Sequence, residues 1–554
     1  MKKHIYIILG IVFLLGVFLR FYNLSSNPPS LNWDEASNGY NAYSILKTGR
    51  DEYGSMLPLS IRSFDDFKPP LYAYLTVLPV AVFGLTEFAV RLPSALLGSL
   101  SIIIVYLLVI EILRGGKFSP KFSERTALTS AFLFAISPWS LQFSRAAYEG
   151  NVGLFFLLVG TLFLFKFLRT PVFLYISAAA FILSIYSYHS FRLIVPLFGL
   201  GFVLFYFREF LKHKLIVVAA LVIFVIAASP IYLNFVSSQQ GSGSRLSMVS
   251  IFGESEEIAN SIQRLEYDKA HGNILGYVFE NRRFVYGLAA VKGYLDHFNP
   301  DFLFLHGDGG RQHHAVDFGM LYLFTLPFIL IGIFALVTNI TKRICVLLLL
   351  LLLAPLASAI SSGSPHPVRA IIMAPALDIM AGVGLITFMY YVSSIKYYVL
   401  GLRIKYIVFP IVFFLFSINF LYYMHQYYVH TPREYGDFWQ YGNKEAIEYA
   451  KKHENEYSKI IMTYKYDQPY VYYLFYNKVD PSWYQKNWDF TKSGEMPRFE
   501  RKIGKYEFKN INWGMDSKNT NTLFIGTPSE IPEKETIKTI YFPNGVEAYR
   551  IAEK

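Results

Sequence analysis

The residues with the clearest chemical potential begin at Trp33-Asp34-Glu35-Ala36, just behind the first apolar segment. An acidic pair there costs little if it faces water and much if it faces lipid. It reads as a solvated pair, as a helix N-terminus favoured by negative charge, or as a general base that takes a proton from an attacking hydroxyl. Lys68 stands in Asp65-Asp66-Phe67-Lys68-Pro69-Pro70-Leu71-Tyr72, where the proline pair forces extended chain and opens a helix. A cation at that point reaches phosphate headgroups by snorkelling, or anchors the chain at an interface. Arg91 lies four residues after Glu87, the spacing of an ion pair along one helix. Later turns supply Glu149 in Ser144-Arg145-Ala146-Ala147-Tyr148-Glu149, Arg192 in His189-Ser190-Phe191-Arg192, and Arg369 in His366-Pro367-Val368-Arg369. Arg192 and Arg369 suit a phosphate, which a guanidinium grips through two parallel hydrogen bonds. Each, taken singly, also reads as a helix cap or headgroup contact. A glycine-rich stretch carries His306, Asp308, His313 and His314. A divalent metal ion could bind there, but the spacing matches no standard site. A loop packed over the site is the preferred reading, and no cofactor is assigned.

The elements that position these groups follow from composition. Of 554 residues, 53% are hydrophobic, 18% aromatic and 16% charged; soluble domains carry about 25% charged residues. That excludes a soluble multidomain protein, a disordered chain and a collagen. The net charge of +11 comes without a Lys/Arg block or an RNA-binding motif, which argues against nucleic acid as a partner. The one cysteine, Cys345, leaves no intrachain disulfide and no thiol metal site. Eleven segments read as membrane spans: 4–22, 90–112, 125–143, 152–168, 171–188, 191–207, 215–233, 318–338, 343–360, 368–391 and 405–424. Segment 69–85 is apolar but short and reads as a helix lying in the outer interface.

With the N-terminus inside, the connections 113–124, 166–170, 208–214, 339–343 and 392–405 face the cytoplasm. Together they hold thirteen cations and two acids, as the positive-inside rule requires. The outside then receives loops 23–89 and 234–317, the short turns near 144–151 and 361–367, and the tail. Asp34, Glu149, Arg192 and Arg369 are thereby expected at one level. The division expected is a transmembrane catalytic domain over 1–430 and an extracytoplasmic α/β domain over 431–554. In the tail, 443–454 reads as an amphipathic helix, with strands at Lys459–Thr463 and Thr522–Ile525.

In this order the motifs resemble the polyprenol-phosphate-sugar-dependent glycosyltransferases of the GT-C class. More narrowly they resemble glycosyltransferase family 39: the protein O-mannosyltransferases, the lipid A aminoarabinose transferases and their bacterial relatives. The features are Asp34-Glu35, Lys68-Pro69-Pro70-Leu71-Tyr72, Arg91-Leu92-Pro93-Ser94-Ala95, Glu149 and His366-Pro367-Val368-Arg369, spread over 1–390. The resemblance implies a polytopic α-helical membrane fold and a catalytic base at Asp34, with Glu35 and Glu149 as further catalytic residues. It further implies Lys68 near the carrier phosphate and Glu149 in support; Arg91, Asp308 and His366 are placed around that site. Phe67 stands where some relatives carry an acidic residue or histidine, Glu149 where some carry Asp, and 436–554 is not shared by the whole family. The function expected is transfer of a single sugar, with inversion, from a polyprenyl-phosphate carrier in the lipid bilayer. The acceptor would be an extracytoplasmic protein, lipid or cell-wall glycan. The expected location is a bacterial cell membrane. A transporter or flippase of lipid-linked sugars is the alternative; it predicts related halves, and no internal repeat is evident. A membrane-anchored binding protein acting through its tail, and a wall-polymer ligase, are further rivals.

Overall fold

The computed structural model describes residues 2–64, 66–237, 250–253, 256–399, 402–487 and 501–554. Asp65 and much of the 234–256 stretch, expected in outside loops, lie outside the described residues. The described chain is mostly helical, because apolar backbone in lipid must satisfy its own hydrogen bonds. Among the described residues eight helices are long and apolar enough to cross a membrane: His4–Phe21, Glu87–Ile112, Glu149–Phe167, His189–Lys212, Lys214–Leu233, Lys342–Ala359, Met373–Ser394 and Lys405–Glu434. This is a multi-pass membrane protein. The three other expected spans also fall on helices, but shorter ones: Pro120–Ile136, Phe173–Ser187 and Leu323–Thr338. The helix Leu71–Phe83 has 13 residues, about 20 Å of rise against about 30 Å of hydrocarbon, so it cannot cross at full depth.

The chain divides into two compact units. The first holds 1–19, 97–143 and 150–423; the second holds 20–96, 144–149 and 424–554. In the first, helices Leu326–Thr338 and Met373–Ser394 approach until their glycines touch the opposing backbone. A Cβ on Gly332 would collide with the Met380 carbonyl and one on Gly384 with the Phe328 carbonyl, the small-residue packing that membrane helices favour. One end of the same unit is tied by charge. Glu111, 6% exposed, receives Arg169 at 2.5 Å, Arg343 at 3.1 Å and Arg114 at 3.4 Å.

The second unit is built on α1 (Trp33–Thr48), the hairpin β1 (Ile61–Ser63) and β2 (Asp66–Lys68), α2 (Leu71–Phe83) and the first turns of α3 (Glu87–Ile112). Asn32 and Glu35 start α1 with reciprocal capping bonds, and Gly49 (φ 69°) ends it in the left-handed conformation. The tail contributes helices α4 (Asn443–Lys452) and α5 (Pro469–Tyr476). Its strands are β3 (Lys459–Met462), β4 (Arg501–Ile503), β5 (Tyr506–Phe508), β6 (Thr522–Gly526), β7 (Lys538–Tyr541) and β8 (Glu547–Glu553). They form one sheet in the order β4-β5-β3-β6-β8-β7, with β3 parallel to both β5 and β6. The helix and both strands expected in the tail are present at nearly the expected positions. Helix α5 packs on α1 so closely that a Cβ on Gly39 would sit 2.6 Å from both Phe475 and Val90. Only glycine permits that approach.

Candidate functional site

Asp34 and Glu35 are neighbours in sequence, but about 100° of helix rotation sends them to different partners. Glu35 is 1% exposed and faces inward. It takes Arg91 through two bonds, Nε at 2.9 Å and Nη2 at 3.1 Å. It also accepts from the backbone N–H groups of Ala147 (2.9 Å) and Asn32 (3.1 Å). Arg91, fully buried, spends its remaining donors on the carbonyls of Leu24, Pro28 and Ser30. All five guanidinium donors thus have acceptors, as a buried cation requires. The pairing expected between Arg91 and Glu87 is not the one formed: Glu87 takes Lys444 at 2.7 Å. The choice is physical, since the buried guanidinium needs the buried carboxylate.

Asp34 lies on another face of α1. Its side chain is 46% exposed and meets Lys68 at 2.5 Å, whose own side chain is 4% exposed. The ammonium also lies 4.5 Å from the centre of the Phe64 ring. One turn along the same face of α1, Asn38 donates to Glu149 at 2.9 Å. Glu149 feels the charges of both Lys68 and Asp34. Three ionisable groups far apart in sequence, 34, 68 and 149, are therefore one electrostatic cluster. Asn38 was not singled out in the sequence, although its spacing of four from Asp34 puts both on one helix face.

A second buried carboxylate stands nearby in sequence. Glu52 accepts from Ser63 Oγ (3.3 Å) and Tyr470 Oη (3.5 Å). Burial pushes it up to about 7, against the pull of Arg501, whose guanidinium lies 3.8 Å from the Tyr470 ring centre. Glu52 has no motif around it, and only its burial marks it out.

Arg192, Arg369, Asp308 and His366 belong to the other compact unit. Arg192 is buried, and its carbonyl accepts from Tyr232 Oη at 2.7 Å. Arg369 donates through Nη1 to Ser361 Oγ at 2.5 Å and to the Ser362 carbonyl at 2.8 Å. The backbone N–H of His366 donates to His297 Nε2 at 3.1 Å, and its ring lies 4.9 Å from that of His313. Burial first, then His313 and Arg369, holds His366 well below the usual imidazole range. Asp308 accepts from His313 Nδ1 at 2.8 Å, and its carbonyl meets His314 Nε2 at 2.9 Å; His306 turns instead to Asp301 at 2.5 Å. Among the described residues no group of three or more His, Cys, Asp or Glu is arranged to hold a metal ion.

The described residues have the fold seen in the GT-C glycosyltransferases. The structure of ArnT from Cupriavidus metallidurans bound to undecaprenyl phosphate is similar with a TM-score of 0.54 and 13% identity, covering 100% of this chain and 98% of that one. The oligosaccharyltransferase of Archaeoglobus fulgidus, tethered to an acceptor peptide through a disulfide bond, gives a TM-score of 0.50 at 16% identity. That match covers 87% of this chain and 63% of the other. Two sequence comparisons match parts of the chain. Residues 67–233 match the family model for dolichyl-phosphate-mannose-protein mannosyltransferase. A putative mannosyltransferase of Bacillus subtilis (strain 168), YkcB, is 26% identical over 189 residues, 33% of this chain and 24% of that relative. That alignment therefore spans about a quarter of the relative's length.

Proposed function

We propose that the chain is a glycosyltransferase that moves a single sugar from a polyprenyl-phosphate carrier to an extracytoplasmic acceptor. The observation that carries this reading is the Asp34–Lys68 pair at 2.5 Å, a half-exposed carboxylate against a buried cation, within a GT-C fold. In the reaction, Asp34 takes the proton of the acceptor hydroxyl. The oxygen attacks the anomeric carbon from the side opposite the phosphate, the bond from that carbon to the phosphate oxygen breaks, and the configuration inverts. The lipid phosphate departs with the bonding pair. Lys68 supplies a counter-charge where that negative charge grows, which is where a fixed cation accelerates the step most.

Glu149, held by Asn38, keeps the proposed role of a supporting carboxylate. Glu35, all of whose partners are buried, is proposed as a positioning residue that fixes the start of α1 through Arg91. Arg192 and Arg369 keep their proposed role toward the carrier phosphate, and Asp308 and His366 a supporting one. Residues 1–430 are proposed as the catalytic domain and 431–554 as an extracytoplasmic domain. The cytoplasmic N-terminus in a cell membrane rests on the cation bias of the inside loops. ArnT binds undecaprenyl phosphate and YkcB is named a putative mannosyltransferase; they make undecaprenyl phosphate the first carrier and mannose the first sugar to test.

The test incubates purified protein with radiolabelled polyprenyl-phosphate sugars and candidate protein, lipid and glycan acceptors. Label moving to one acceptor is expected. Scrambling of the labelled lipid across vesicle leaflets, with no transfer to any acceptor, would replace the transferase by a flippase.

A further inference from the structure

The tail sheet has a feature that the proposed chemistry does not use. The chain leaves β3, builds the β4–β5 hairpin on one side of it, then crosses to the other side as β6. Strand order reverses at β3, and in open α/β sheets ligands bind outside the carboxyl ends of the strands at such a point. An open pocket of about 530 Å³ lies there, inside the range of about 300–1,000 Å³ usual for small-molecule sites. Its lining comes from the three segments that follow the parallel strands: Lys465 after β3, Asn510, Asn512 and Trp513 after β5, and Ser529 after β6.

The floor of this pocket is fixed. The Glu530 carboxylate accepts from Thr463 Oγ1 (2.9 Å), Ile511 N (3.0 Å), Thr527 N (2.9 Å) and Thr527 Oγ1 (2.9 Å). One buried group thus clamps the ends of β3, β5 and β6 together. Above it the character changes. Asn510, Asn512 and Ser529 are exposed, and Lys465 donates to Ser529 Oγ at 3.0 Å. Trp513 is half-buried, packed edge-to-face on Phe524 at 5.3 Å between ring centres.

An indole among amides and a hydroxyl matches the two halves of a sugar ring. The C–H face of a pyranose packs on an aromatic surface, while amides can both donate to and accept from its hydroxyls. At the ends of parallel strands a phosphate is commonly met by a glycine-rich turn opening a helix, or elsewhere by free cationic side chains. The turns here read Thr463-Tyr464-Lys465 and Thr527-Pro528-Ser529; Lys465 already faces Ser529 and, at 3.8 Å, Glu530, and Lys554, 5.9 Å from the Trp513 ring centre, is paired with Glu535 at 2.6 Å. We propose that the pocket at the carboxyl ends of β3, β5 and β6 is a carbohydrate-binding site for a neutral saccharide unit. It uses none of the residues around Asp34, and it holds whether or not the chain transfers sugars.

The test is saturation-transfer difference NMR on the full chain in nanodiscs, which avoid the sugar headgroups of maltoside detergents. The probes are methyl α-D-mannopyranoside, methyl β-D-glucopyranoside and N-acetylglucosamine. Ring C–H signals are expected for at least one probe, unchanged in Asp34→Asn. Asn510→Ala with Asn512→Ala should weaken that binding about tenfold, the loss expected for two hydrogen-bonding amides. Trp513→Ala should abolish it; where that variant does not fold, the asparagine pair decides, both being exposed. No signal from any probe, a signal undiminished in the asparagine variant, or displacement by inorganic phosphate would each overturn the proposal.

Discussion

Asp34→Asn and Glu35→Gln change adjacent residues by the same chemistry, yet should fail in different ways. Asp34 is 46% exposed but Lys68 only 4%, so losing this pair costs more than the about 0–1 kcal/mol of a surface ion pair and less than the about 3–5 kcal/mol of a fully buried one. Lys68, left behind, still has Glu149 in its field. The fold should therefore survive, while loss of a general base lowers turnover about 10²–10⁴-fold. Glu35→Gln is the reverse case. It removes the charge that compensates a fully buried Arg91 and turns one of two acceptor oxygens into a donor facing N–H groups. Breaking one partner of such a pair costs about 3–5 kcal/mol, with turnover lost only as the protein unfolds. The assay measures initial transfer rates from a labelled carrier and thermal melting on the same nanodisc preparations. If Glu35→Gln melted like the wild type but was inactive, or Asp34→Asn melted early, the division of labour within the pair would be wrong.

Lys68→Met should raise the KM for the lipid carrier more than the KM for the acceptor; equal rises would remove Lys68 from the phosphate. Glu52 should give the protein a measurable pH slope. Its carboxyl is raised from 4.5 to about 7 in the fold, so between those values the folded chain holds a proton that the unfolded chain has lost. Stability should fall as pH rises through that window, by at most about 1.4 kcal/mol per pH unit, and level off above it. Melting temperatures of Glu52→Gln against pH should lack this slope. Gly39→Val should lower the melting temperature by the equivalent of about 1–3 kcal/mol, because its side chain has no room between Phe475 and Val90. A cysteine placed at exposed Ser529 should react with an impermeant maleimide added to intact cells; labelling only after lysis would reverse the proposed topology.

The membrane helices were legible because twenty apolar residues have few other fates. Three came out shorter than their apolar segments, since helix ends follow capping and proline chemistry as well as hydropathy: one stops at Ile136 before Ser137-Pro138, and a second helix, Pro138–Arg145, carries the rest of its segment. In the tail, Lys459–Met462 and Thr522–Gly526 are fully apolar at their centres and were readable. Tyr506–Phe508 and Arg501–Ile503 are three residues long, too short to show a period. At the site, Asp34, Lys68 and Glu149 were recognised as motifs, and their clustering in space could not come from spacing alone. The partner of Arg91 was misread because the nearest acid along the helix, Glu87, is not the acid with which a buried guanidinium can share its burial.

Glu111 and its three arginines carry a consequence for chain continuity. Glu111 stands at the end of Glu87–Ile112, and Arg169 and Arg343 bring the ends of two further helices to it by side chains rather than by the connecting peptides. A protease cut within 115–119 would leave the fragments stapled to each other, and a gene split there should yield two polypeptides that purify as one.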